Sequence, residues 1–162
     1  MGATASTAAG ATRTGGPRTG VTDLPQVTAA AAAPAPVIVG SLTIAGRTRN
    51  VTEARAFVAK TLGEAHPCAD EAVLLCSELV TNAVLHSESG QPGGSVTVVV
   101  LGLPGSVRVE VVDNGSSLST PVVKAEVYEP HGHGLFLVDQ LAENWGYTRD
   151  EVGTTVWFRL IC

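Results

Sequence analysis

The clearest pattern in the chain is an alternation of apolar and polar residues that is typical of half-buried strands. In the segment 106–112, valines alternate with Arg108 and Glu110, so one face of a strand points inward and the other outward. A second apolar segment, 95–103, precedes it across a tight turn at Pro104-Gly105. Further strands are predicted at 37–44, which is rich in β-branched residues, and at 145–149 and 154–160, which flank a turn.

Helical spacing of apolar residues replaces this alternation between the first and second strands. Asn50, with Glu53 three residues on, is predicted to cap a first helix. Its apolar stripe consists of Ala54, Phe57, Val58 and Leu62. A longer helix is predicted at about 69–87, with a stop signal at Gln91-Pro92-Gly93-Gly94. A third helix is predicted to begin at Gly132-His133-Gly134.

The order of elements is strand, helix, helix, two strands, loop, helix and two strands. This order favours an α+β fold, a two-layer α/β sandwich in which helices cover one face of a mixed, largely antiparallel sheet. With 162 residues, the chain has room for one domain of ordinary size, which we place at 37–162. Residues 1–36 are rich in Ala, Thr, Gly and Pro and are predicted to form a disordered tail, with a transit peptide as the less favoured alternative.

Charge and cysteine content narrow the classes of function. The net charge of −5 disfavours a direct nucleic-acid partner, and the short apolar runs predict no membrane-spanning helix. Three cysteines, an odd number without metal-ligand spacing, predict buried or incidental thiols in a reducing compartment. Because no secretory signal is apparent in the first residues, we expect a cytoplasmic protein.

A polar strip runs along the longest predicted helix. Glu78, Asn82 and His86 are spaced four apart, so the three side chains share one side of the helix. A carboxamide oxygen can ligate a hard cation such as Mg²⁺, and a carboxylate one turn away can accept a proton. A solvated helix face is the alternative, and the helix taken alone favours it.

Two glycine-containing segments suggest contacts with a ligand. In Asp113-Asn114-Gly115, the carboxylate could accept a hydrogen bond from an exocyclic amine, although an Asx turn is the more common role. Gly132-His133-Gly134 opens a helix, where free N–H groups and the helix dipole favour a phosphate. It matches neither the Rossmann fingerprint nor the Walker A loop. Gly153-Thr154-Thr155 alone indicates only a turn.

Together, four segments resemble the N, G1, G2 and G3 boxes of the GHKL (Bergerat) ATP-binding fold, which is shared by DNA gyrase and histidine kinases. The segments are ELVTNAVLH at 78–86, VDNG at 112–115, GHGLFLV at 132–138 and GTTVW at 153–157. Their sequences are most similar to those of the bacterial anti-sigma regulatory factor kinases, small serine/threonine kinases that act in partner switching. The resemblance covers about 37–160.

The resemblance implies that the cofactors are ATP and Mg²⁺. Asn82 would ligate the Mg²⁺ that bridges the phosphates, and Glu78 would be the general base that takes the proton from the attacking hydroxyl. Asp113 would bind the adenine amino group. Gly115 would pack against the base, and Thr154 would assist through its hydroxyl and a water molecule.

The resemblance also implies a phosphate-binding segment and a lid. Gly132 and Gly134 would donate backbone N–H groups to the phosphates, and His133 and Leu135 would complete that part of the cofactor site. In relatives, a basic residue often stands where this chain has His133. Residues 116–131 would form the ATP lid.

The implied function is transfer of the ATP γ-phosphate to a serine or threonine of an anti-sigma-factor antagonist. A sigma factor and the antagonist would be the partners, and relatives are typically homodimers. The alternative is a non-catalytic ATP-binding module that binds a sigma factor or antagonist without phosphorylating it. Lys124 and Arg149 are the only basic residues between Arg108 and Arg159, which keeps this alternative open.

Overall fold

The structure, a computed structural model, describes residues 34–116 and 134–162. Its helices and strands are, in chain order, β1 (Val37–Ala45), α1 (Val51–Leu62), α2 (Ala69–His86), β2 (Ser95–Leu103), β3 (Ser106–Asp113), α3 (Gly134–Leu141), β4 (Asn144–Arg149) and β5 (Thr154–Ile161). This is the predicted order. Residues 1–33 of the predicted tail, 117–131 of the predicted lid, and Gly132 and His133 lie outside the described residues.

The five strands form one sheet in the order β1-β2-β3-β5-β4, and each of these neighbouring pairs is antiparallel. The α+β fold with a largely antiparallel sheet is therefore confirmed. β2 and β3 are joined at Pro104-Gly105, as predicted, and Gly105 has a φ of 63°, a conformation that a residue without Cβ adopts at little cost. None of the described helices is long and apolar enough to cross a membrane.

The alternation in the strands separates a buried face from an open face. On β5, Val156, Phe158 and Leu160 belong to the hydrophobic core, together with the alternate valines of β2 and β3. α2 adds core residues from one side of its helix, among them Leu75, Leu79 and Val80. On the open face, the guanidinium of Arg108 stacks 4.0 Å from the ring centroid of Trp157.

The predicted cap of α1 is wrong in its detail. Thr48–Asn50 forms a short 3₁₀ turn directly before α1, so the backbone of Asn50 is already helical and its side chain makes no capping bond. Instead, Asn50 Nδ2 donates to the carbonyl oxygen of Ala45 at 3.2 Å and ties the turn to the end of β1. A capping side chain requires an extended Ncap backbone, which the preceding turn removes.

The prediction of incidental thiols is also wrong for two of the three cysteines. Cys68, which precedes α2, forms a disulfide with Cys162, which follows β5, across a sequence separation of 94. Cys76 is the free, buried cysteine. Because the pairing depends on the fold bringing distant segments together, the spacing of cysteines along the chain gave no indication of it.

Candidate functional site

The carboxylate of Glu78 and the amide of Asn82 converge on the first residue of α3. A Cβ built on Gly134 would lie 2.9 Å from Asn82 Nδ2 and 3.0 Å from Glu78 Oε2. The side chains of α2 therefore lie directly against the backbone of Gly134, which only a glycine leaves room for. Two segments that are about 50 residues apart in the chain, and that sequence analysis selected separately, meet here.

The position of this pair follows from how α2 is buried. α2 turns its apolar side, which includes Leu75 and Leu79, into the core, and Glu78 and Asn82 are only partly buried on its flank. His86, the third member of the predicted strip, is exposed in the last turn of α2. The polar pair thus borders the core without being enclosed by it, and a ligand could reach it.

The start of α3 provides backbone donors at the same place. The first N–H groups of an α-helix have no partner within the helix, and the helix dipole attracts negative charge to this end. The side chain of Leu135 is buried in the core, so it is not placed to contact a ligand.

Asp113 ends β3 and folds back onto its own turn. The backbone N–H of Gly115 donates to Asp113 Oδ1 at 2.6 Å, and Gly115 has a φ of 77°. The Asx turn considered in the sequence analysis is therefore present. With the backbone N–H of Thr154, the carboxyl has two backbone donors, and an ionised carboxylate can accept more hydrogen bonds than these.

Burial and nearby donors shift the pKa of Asp113 in opposite directions. Burial raises the pKa of its carboxyl above the ordinary value of 3.8, because desolvation disfavours the charged form. Backbone hydrogen bonds from Gly115 and Thr154 and the positive charge of Arg149 act in the opposite direction. The carboxyl is thus partly withdrawn from water and held in place by fixed donors.

The start of β5 faces this turn. Thr154 is opposite Asp113 in the sheet register and is buried, and the Cα of Gly153 would lie 3.3 Å from a Cβ on Gly115. The Nε of Arg149 donates to Thr154 Oγ1 at 3.3 Å. Asp113, Gly115 and Thr154 are therefore brought together as predicted. Arg149 joins them, and although the sequence analysis gave it no role here, the predicted hairpin of 145–149 and 154–160 already places it beside Thr154.

Ser89 is a second residue that sequence reasoning missed. Its fully buried hydroxyl donates to the carbonyl oxygen of Ser95 at 2.6 Å and accepts from the backbone N–H of Asn114 at 2.8 Å. Nearby, the N–H of Glu88 donates to the carbonyl oxygen of Gly115 at 2.7 Å. The segment that follows α2 therefore fixes the Asp113 turn, so α2 adjoins both groups of candidate residues.

Comparison with known proteins identifies the family of the chain. No curated protein gives a significant match to the chain. A family model, the histidine kinase-like ATPase domain, matches residues 44–160, a range that contains all four resembling segments and everything from the end of β1 to nearly the end of β5. ATP binding is the activity that this match supports. The chain belongs to the family of histidine kinase-like ATPase domains.

Proposed function

We propose that the protein is an anti-sigma regulatory factor kinase, which transfers the γ-phosphate of ATP to a serine or threonine of an anti-sigma-factor antagonist. The observation that carries the proposal is the contact of Glu78 and Asn82 with Gly134. A carboxylate, an amide and a helix N-terminus that meet at one point are suited to binding a triphosphate and to a proton transfer. If Glu78 and Asn82 only formed a solvated helix face, they would not pack against Gly134.

Mg²⁺ fits the donors present at this point. Carboxylate and amide oxygens are hard ligands, which Mg²⁺ prefers, and the ion usually completes its octahedron with waters and substrate phosphates. In the proposal, the amide oxygen of Asn82 holds Mg²⁺, which supplies charge neutralisation to the phosphates. The backbone N–H groups of Gly134 and Leu135, at the start of α3, would donate to the phosphate oxygens. Gly132 and His133, which lie outside the described residues, stay sequence-based predictions for the same site.

The adenine end is assigned to the second group of residues. The amino group of adenine is a donor, and Asp113 is an acceptor whose position Gly115 and Thr154 maintain through their backbone N–H groups. Gly115, which carries no side chain, lets the base approach the turn. The hydroxyl of Thr154 accepts from Arg149 and can still donate its own proton to a bridging water.

In the reaction, Glu78 acts as general base. It takes the proton of the attacking serine or threonine hydroxyl as the new phosphorus–oxygen bond forms and the bond from the γ-phosphorus to the leaving ADP breaks. Phosphoryl transfer depends mainly on positioning and charge neutralisation, so a single base and a rigid phosphate site are sufficient machinery. We propose a homodimer as the active species, with a sigma factor as its second partner.

The test is the Glu78→Gln variant, which keeps the shape of the side chain and removes its basicity. Loss of a general base is expected to slow phosphate transfer about 10²–10⁴-fold, while Mg²⁺-ATP affinity stays close to that of the wild type. Transfer is measured with γ-labelled ATP and a panel of purified antagonist proteins, and affinity by calorimetry. Glu71→Gln, an exposed glutamate on α2, is the matched control. Unchanged transfer in Glu78→Gln would contradict the role of Glu78.

A non-catalytic ATP-binding module is the second candidate, favoured by the scarcity of Lys and Arg in the sequence between Arg108 and Arg159. Arg149 lies at Thr154 in the other group of residues. A module of this kind would bind ATP and a partner protein but transfer no phosphate in the wild type. Wild-type protein that binds an antagonist in the presence of ATP and leaves it unlabelled would therefore favour the module over the kinase.

A further inference from the structure

A cluster of metal-ligating side chains lies where the start of α2 meets the end of β5. One ligand atom from each of His66, Cys68 and Cys162 lies within 4.8 Å of the other two. Cys68 and Cys162 are joined as a disulfide, with their Cα atoms 5.6 Å apart. None of the three residues belongs to the proposed nucleotide site, and the proposed kinase reaction does not use them.

We propose that reduction of this disulfide creates a binding site for a soft divalent cation, of which Zn²⁺ is the representative. Two thiolates and one imidazole are the ligands that Zn²⁺ prefers, and three protein ligands with one open position form a common zinc arrangement. Tetrahedral zinc holds neighbouring ligand atoms about 3.5–3.8 Å apart, given its bond lengths to sulfur and nitrogen. Once the sulfur–sulfur bond has opened, only small side-chain movements are needed.

The backbone of each ligand residue is held independently of the disulfide. The N–H of His66 donates to Gly63 at 3.1 Å, its carbonyl oxygen accepts from Ala69 at 3.0 Å, and the N–H of Cys162 donates to Gly105 at 2.9 Å. The N–H of Cys68 donates to Nδ1 of His66 at 3.2 Å, which ties the imidazole to the backbone of the same turn. Reduction therefore leaves the three ligand residues in place.

The two sulfur atoms of the disulfide differ in their exposure to solvent, and this difference determines which one a reductant attacks. Cys162 is exposed and Cys68 is buried, so an external dithiol attacks the sulfur of Cys162. A mixed disulfide forms and Cys68 leaves as a thiolate. The second thiol of the reagent then displaces Cys162, and the reagent departs as its own disulfide with two electrons transferred to the protein. When Zn²⁺ binds, the protons of the two thiols pass to solvent.

The consequence is a tether between α2 and β5 that exists in either redox state. In an oxidising medium, the disulfide joins the residue before α2 to the residue after β5. In a reducing compartment, where thiols persist, the cation joins the same two points. Reoxidation of the two thiolates by a disulfide reagent forms the sulfur–sulfur bond again and releases the ion.

The test uses the full chain, reduced with a dithiol and desalted without oxygen. Zn²⁺ is titrated in competition with a chromophoric chelator, and Co²⁺ in a parallel sample reports thiolate ligation through its absorption bands. We expect one ion per reduced chain, none in the oxidised chain, and protection of Cys68 and Cys162 from alkylation. Failure of the reduced chain to bind more Zn²⁺ than the oxidised chain would overturn the proposal.

Variants separate this site from adventitious binding. Cys162→Ser is expected to weaken Zn²⁺ binding more than about 100-fold and His66→Ala more than about 10-fold, since even changes outside the ligand set cost 10–100-fold. His66→Cys, which restores a ligand, is expected to retain binding. Cys76→Ala is the matched control, because burial raises the pKa of that thiol to about 12 and keeps it out of the reaction. Equal affinity in Cys162→Ser and the wild type would contradict the assignment.

Discussion

At the scale of single residues, Asp113 is a half-buried carboxylate on which opposing electrostatic contributions act. Burial raises its pKa, whereas the N–H groups of Gly115 and Thr154 and the charge of Arg149 favour the ionised form. The net direction is upward, so the folded chain binds a proton at this carboxyl more readily than the unfolded chain does. At neutral pH, where the carboxyl is ionised, its burial therefore lowers the free energy of unfolding.

This arrangement predicts a specific dependence of stability on pH. Between the ordinary pKa and the raised pKa of Asp113, the folded chain holds a proton that the unfolded chain has lost. The free energy of unfolding therefore gains a contribution at low pH, which is lost as the pH rises through the raised pKa. Asp113→Asn should lack this decline, as measured by urea unfolding from about pH 3.5 to 7.

Asp70→Asn, at the exposed start of α2, provides the control for this experiment because it removes a surface carboxylate. The difference in unfolding free energy between the wild type and Asp113→Asn should vary across this pH range. If that difference were the same at every pH, the raised pKa would be contradicted.

At the scale of elements, α2 organises the site. Its middle lies against Gly134 of α3, and the segment after its end binds the Asp113 turn through Glu88 and Ser89. Its first residues follow Cys68 and the disulfide. α2 and the residues that directly flank it therefore contact both groups of candidate residues and the disulfide, so a displacement of α2 would change the positions of all three.

The junction of α2 and α3 gives a second prediction. In Gly134→Ala, the new Cβ would force Asn82 and Glu78 to move, because contacts of 2.9 and 3.0 Å are too short for a carbon atom. The Cβ of Glu78, 3.1 Å from the new carbon, is fixed by the backbone of α2, so the two helices must also move apart slightly. We expect stability to fall by about 1–3 kcal/mol and Mg²⁺-ATP affinity to fall about 10–100-fold. Calorimetry measures the affinity, and Gln140→Ala, exposed on α3, is the control. Wild-type affinity in Gly134→Ala would argue against a phosphate site here.

The elements were largely predictable from sequence because their signals are local. Alternating valines over 106–112 and the glycine turn at Pro104-Gly105 both depend on near neighbours, and the structure confirms both. The cap at Asn50 failed because a 3₁₀ turn changed the backbone on which capping depends. Ser89 was missed since its partner Asn114, 25 residues away, becomes a neighbour only after folding. Arg149 was missed although its partner Thr154 is paired with it across the predicted hairpin.

At the scale of the whole molecule, the disulfide closes most of the folded chain into one covalent loop. The separation of 94 residues between Cys68 and Cys162 includes α2, α3 and the four strands from β2 to β5. A cross-link of this kind stabilises mainly by restricting the unfolded chain, and more so for long loops. The stability of the domain should therefore depend on the redox state of this pair.

The corresponding prediction concerns unfolding with and without a reductant. Reduction in the presence of a metal chelator should lower the free energy of unfolding by about 2–4 kcal/mol, measured by urea denaturation. Cys162→Ser should resemble the reduced wild type and be insensitive to the reductant. Identical curves for the oxidised and reduced wild type would show that the cross-link contributes nothing to stability.

The two tryptophans of the chain occupy different surroundings. Trp145, in β4, donates its indole N–H to Asp139 Oδ1 of α3 at 2.9 Å, whereas Trp157 stacks beneath Arg108 on the open face of the sheet. Indole emission responds to hydrogen bonding and solvent contact, so Trp145 can report optically on the position of α3. In a Trp157→Phe background, intrinsic fluorescence would therefore show, without any attached dye, whether added Mg²⁺-ATP changes the position of α3.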